Sequence, residues 1–144
     1  MSRVINTNSP TKIRNYNRRT IAELLQQLGR KQEVDSESKD MAATIVYALR
    51  NIYDTADTAA QAWEKKGYWM KAERFLRQWE WTKEAAANIE DVIREGAWDL
   101  LPQLLMDLFP HFTDVEVKSL TRKEDTWQGE YQRLLQDKPQ NLLS

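Results

Sequence analysis

Apolar residues return at a helical interval from Met41 onward: Met41, Ile45, Leu49, Ile52, Ala56, Ala59 and Trp63 fall in steps of three and four. That spacing lays one stripe along a helix and predicts a long element over about 36–66. A second stripe, Tyr68, Ala72, Phe75, Trp79, Thr82, Ala86, Ile89 and Ile93, predicts a companion over about 68–95. Gly67 divides the two behind Lys65 and Lys66, which suits a helix end with cations at its negative pole. Folded back at Gly67, Ala56 and Ala59 oppose Trp79 and Phe75, Leu49 opposes Ala85 and Ala86, Ile45 opposes Ile89, and Met41 opposes Ile93. Small against large is what interdigitating layers require.

Shorter elements flank this hairpin. Ser9-Pro10 is a helix start, a hydroxyl cap with proline in the first turn. The stripe Ile13, Ile21, Leu24, Leu25 and Leu28 follows, with Asn17 inside it and Gly29 as the stop. Asp35 or Ser36 caps the next helix across a polar loop. Asp99 with Leu100-Leu101-Pro102 opens a fourth helix carrying Leu104, Leu105, Leu108 and Phe109, and Pro110 closes it. Asp114 to Lys118 alternates but is too short for a sheet and is expected to be an extended connector. Thr121 with Glu124 has the spacing of a capping box for a last helix bearing Trp127, Tyr131, Leu134 and Leu135. Lys66-Gly67-Tyr68-Trp69 and Glu95-Gly96-Ala97-Trp98 share one corner chemistry, a glycine stop two residues before a tryptophan. The expected fold is all-α: a bundle of four to five helices built on a long antiparallel hairpin. One domain over 9–136 lies between loose tails at 1–8 and 137–144.

Composition narrows the chemistry. The 144 residues contain no cysteine, which excludes disulfides, zinc–thiolate sites and thiol nucleophiles. The start has no apolar stretch of signal-peptide length, and the longest apolar run, Ile45 to Leu49, is far short of a membrane span. A cytoplasmic protein with no membrane contact is therefore expected. Charge is split: residues 1–31 hold seven basic side chains and one acid, Glu23, against 14 basic and 21 acidic residues in the remainder. A basic arm on an acidic body either docks internally or meets an acidic partner.

Four constellations invite a functional reading. Arg14, Arg18 and Arg19 with Tyr16 place cations beside an aromatic, a pattern that grips a phosphate backbone or pairs with carboxylates of the hairpin. Asp54 and Asp57 share a face of the second helix, and Glu73 and Glu80 share one of the third. Carboxylates gathered between helices can hold a divalent metal and run phosphohydrolase chemistry. Arg77 among them favours salt bridges instead, and one histidine cannot supply a paired Glu-x-x-His di-iron set. That histidine, His111, sits beside Pro110 at a helix end, with no nucleophile motif to serve. Trp81 lies about 200° round the helix from the Trp79 seam, in a polar row, so another element covers it or it anchors a partner.

No P-loop, dinucleotide fingerprint or nucleophile elbow is present. The expected function is a non-enzymatic helical interaction module that binds another protein or itself, with no catalytic residue and no cofactor. Its expected contact residues are Trp81, Arg14, Arg18, Arg19 and Tyr16. A nucleic-acid-associated protein using the basic first helix is the alternative, and a metal-dependent phosphohydrolase using Asp54, Asp57, Glu73 and Glu80 is a weaker one.

Overall fold

The computed structural model describes residues 9–139; the expected tail at 1–8 and the positions 140–144 of the other lie outside the described residues. Among the described residues every regular element is helical, as expected. The elements are α1 (Pro10–Gly29), α2 (Ser36–Lys65), α3 (Trp69–Glu95), α4 (Leu101–Leu108), α5 (Glu124–Trp127) and α6 (Glu130–Gln136), with 3-10 turns at Trp98–Leu100 and Phe109–Phe112.

Local chemistry sets the helix ends. The Ser9 hydroxyl accepts the Lys12 N–H at 3.2 Å. Asp35 caps α2, accepting the Ser38 N–H at 2.8 Å and its hydroxyl at 2.7 Å. Both expected corners are left-handed glycine caps. At Gly67 (φ 86°) the Gly67 N–H donates to the Glu64 carbonyl and the Tyr68 N–H to the Trp63 carbonyl, each at 2.9 Å. At Gly96 (φ 69°) the Gly96 N–H donates to Ile93 at 3.3 Å and the Ala97 N–H to Val92 at 3.0 Å. This double bond pattern satisfies carbonyls that the helix end would orphan. Gly29 differs: it is the last residue of α1 without a positive φ, and Arg30 forms the cap.

Helices α2 and α3 make the largest interface, antiparallel about Gly67. Trp63 meets Phe75 edge-on at 5.0 Å, the Lys83 ammonium lies 5.4 Å over Tyr53, and Arg50 pairs with Glu90 at 2.7 Å. These contacts fix the register from tip to base. Ile45, Leu49 and Ile52 of α2, Ile89 and Ile93 of α3, and Ile21, Leu24 and Leu25 of α1 are buried together. Each such side chain contributes about 1.5–3 kcal/mol through burial. Helix α1 runs antiparallel to α2, with Arg14 hydrogen-bonded to Thr55 at 3.1 Å and Asn51 to Asn17 at 3.3 Å. Asn17 also donates to the Ile13 carbonyl at 2.8 Å, so the polar residue in the α1 stripe is paired. With Arg14 opposite Thr55, the hairpin continues for roughly 9 Å past the start of α1, given ~1.5 Å per residue.

The C-terminal third departs from expectation. Thr121 makes no capping box: its N–H and hydroxyl donate to Glu23 of α1 at 2.7 and 2.6 Å. Lys123 occupies the cap of α5 without a side-chain bond. The expected last helix is broken at Gly129 (φ 83°) into α5 and α6. Asp40 of α2 supplies the missing cap, accepting the Gly129 and Tyr131 N–H groups at 3.3 and 3.0 Å. Arg94 holds the other end of α6, donating to the Leu134 and Asp137 carbonyls at 2.8 Å each. Residues 113–139 thus form a strap pinned by side chains of α1, α2 and α3.

Candidate functional site

The expected contact residues are occupied by their own chain. Trp81 is half-buried; the His111 imidazole stacks on it at 3.7 Å and 10°, and Phe112 meets it edge-on at 5.9 Å. Its cover is the 3-10 turn after α4, rather than α1 or the last helix. Burial, and then the Arg18 charge, push the His111 imidazole below its ordinary value.

Arg14 lies 5.1 Å over Phe75 and 5.2 Å over Trp79 while bonded to Thr55. Arg18 grips Asp114 with both terminal nitrogens, at 3.0 and 2.7 Å, and donates to the His111 carbonyl at 2.7 Å. Arg19 donates to Glu23 at 2.7 Å and to the Glu116 and Ser119 carbonyls at 3.2 and 2.7 Å. Tyr16 is exposed, with the Arg122 guanidinium 4.1 Å over its ring. So Arg14 is turned onto the hairpin, and Arg18 and Arg19 onto the 3-10 turn and the strap.

Glu23 is the electrostatic centre of that face. It is fully buried, yet accepts four hydrogen bonds, from Arg19, from the Thr121 N–H and hydroxyl, and from the Arg122 N–H. Burial pushes its carboxyl up, but those hydrogen bonds outweigh it and hold the group at about 2. Glu90 is the counterpart on α3, buried between Arg50 and Arg94 at 2.7 Å each.

The hairpin carboxylates divide. Asp54, Asp57 and Glu80 neighbour the Tyr53 phenol, which burial and then their charges push upward. Asp54 itself is raised by burial and by Asp57. Glu73 is engaged elsewhere, paired with Arg77 at 3.4 Å. Among the described residues no three histidine, cysteine, aspartate or glutamate side chains gather where they could hold a metal ion.

Apolar openings lie where α1 ends. One cavity of about 270 Å³ is walled by Leu25, Leu28, Leu101, Leu105, Met106 and Phe109. A second, of about 490 Å³, runs from Ala22 and Leu25 to Phe112, Val115 and Val117. They share Leu25, Gly29 and Phe109 as walls, so the two lie side by side at the last turn of α1 and make up the cleft there. Nothing lies within 4 Å of where a Gly29 Cβ would stand. Met106 is 63% and Phe109 48% exposed on its rim. Arg30, Lys31 and Glu33 supply charge of both signs around it.

The sequence places Leu104, Leu105, Leu108 and Phe109 on this helix without showing which of them face the core. Leu101 and Leu108 face the core, but Leu104, Leu105 and Met106 continue the apolar surface round the helix. Only Gln103 and Asp107, hydrogen-bonded one turn apart, make a polar face on α4, and an apolar arc wider than one core contact was the signal available. No helix among the described residues is long and apolar enough to cross a membrane. No family model, curated protein or solved structure matches the chain.

Proposed function

We propose that the chain is a non-enzymatic helical interaction module whose cleft between α1 and α4 receives an apolar helix face of another protein. The cleft carries this reading: it is apolar along most of its walls, has Arg30, Lys31 and Glu33 in its lining, and is rimmed by Met106 and Phe109. Contiguous exposed apolar surface of this kind marks binding sites, and the flexible Met106 side chain on the rim can repack against a partner. Trp81 and the α1 arginines then act as scaffold that holds the 3-10 turn and Phe112 against the cleft.

The nucleic-acid alternative draws little support from α1, whose three arginines each bind acceptors of their own chain. The phosphohydrolase alternative likewise lacks converging ligands among the described residues.

The test compares the wild type with Met106→Asp/Phe109→Asp, two exposed changes that leave the core intact. Wild type should retain a partner on affinity purification from its source cells that the variant loses at unchanged melting temperature. That partner should bind the purified wild type directly. Identical binding by the two proteins would sink the reading, and so would the absence of any direct binder.

A further inference from the structure

The opposite end of the molecule carries a second surface of different chemistry. Among the described residues the hairpin beyond the start of α1 is a two-helix finger, and its apex is the sequence Tyr68-Trp69-Met70, exposed by 55%, 64% and 67%. Trp69 and Met70 open α3 and diverge by about 100°, while Tyr68 precedes them in the non-helical corner. A convex knob of that kind does not fit one pocket of a folded partner. A planar phase accommodates all three at once.

Charge points the same way. Residues 64–77 hold five cations, Lys65, Lys66, Lys71, Arg74 and Arg77, against two acids, Glu64 and Glu73. One of those acids is already paired with Arg77. Lys65 and Lys66 are exposed beside the turn, while Lys71 lies 4.5 Å over the Trp63 ring. Tryptophan and tyrosine favour the water–lipid boundary, and lysines behind them reach anionic headgroups.

We propose that the hairpin apex is a docking surface for an anionic lipid bilayer, with Trp69 and Met70 entering the headgroup region and Lys65 and Lys66 contacting lipid phosphates and carboxylates. Crossing a bilayer and resting on one are different demands, and the second needs no long apolar helix. This surface is separate from the α1–α4 cleft and does not depend on the reading given to it.

Vesicle flotation of the full chain tests the proposal, using phosphatidylcholine with and without phosphatidylserine. Binding should appear only with phosphatidylserine and fall as salt rises. Trp69→Ala should weaken it about tenfold, as loss of a buried aromatic anchor. Lys65→Ser and Lys66→Ser should each weaken it about fivefold. Apex side chains touch little of the body, so circular dichroism melts of these variants should match the wild type. Absence of binding, equal binding without phosphatidylserine, or an unaltered Trp69→Ala variant would overturn it. A single-stranded oligonucleotide bound through the same residues in preference to vesicles would overturn it in favour of nucleic acid.

Discussion

Glu23 and Thr121, 98 positions apart, are joined twice: the Thr121 N–H and hydroxyl both donate to the Glu23 carboxylate, at 2.7 and 2.6 Å. This pair fastens the strap to α1 and makes the attachment pH-dependent. The Glu23 carboxyl falls from an ordinary 4.5 to about 2 in the folded chain. A depressed carboxyl stabilises the fold above its unfolded value and loses that contribution as pH falls through the folded one. Urea midpoints should therefore drop between about pH 4.5 and pH 2, and the drop should be shallower in Glu23→Gln. Glu23→Ala, which leaves Arg19 and two backbone donors without their acceptor, should cost about 3–5 kcal/mol at neutral pH.

Alkali should loosen the other end of the strap. The Tyr47 hydroxyl donates to the Asp137 carboxylate, and burial followed by that bond pushes the phenol up to about 12. A raised phenol stabilises the fold below its unfolded value near 10 and loses that contribution as pH climbs through the folded one. Amide exchange at Leu134 should accelerate over that window in the wild type. A Tyr47→Phe variant showing the same acceleration would refute the assignment.

His111 is the chain's one histidine, so its imidazole proton signal is unambiguous. Its titration should fall below the ordinary 6.5, because burial against Trp81 and the Arg18 charge both disfavour the cation. Stability linked to this group is present above about pH 6.5 and declines as pH falls toward the folded value. Arg18→Ala should move the titration upward, and Trp81→Ala should do so further by removing the stack. An unshifted midpoint in both variants would show that neither contact sets it.

The glycines should separate by backbone. Gly29 has no positive φ and open space where a Cβ would stand, so Gly29→Ala should stabilise the fold by about 0.5–1 kcal/mol. Gly67 and Gly96 have φ of 86° and 69°, so alanine there should cost about 1–2 kcal/mol each. Thermal melts of the three variants provide the comparison.

The hairpin was legible because two long stripes and a glycine with flanking lysines are local signals that agree with one another. The paired glycine corners were legible for the same reason. The strap was not. Thr121 and Glu124 have perfect local spacing for a cap, yet Glu23 offers a buried carboxylate to the same threonine, and that tertiary partner wins. Nor does anything near Gly129 announce that Asp40 will cap the helix after it. Trp81 was expected either to be covered by another element or to anchor a partner, and the 3-10 turn that stacks on it is too short to leave a periodic trace. The cleft is a property of two helices meeting, and a stripe read along either one cannot display it.

The strap also imposes an order on biosynthesis. Glu23 emerges early, and α2 emerges soon after, ready to pack α1 against it. Of its four hydrogen bonds only the one from Arg19 is then available; the other three wait for Thr121 and Arg122. Before that segment is in place, water must stand in for those three donors at the carboxylate. The strap works as a completion signal, letting the first helix seat itself fully only after the distant segment that answers its carboxylate has been made.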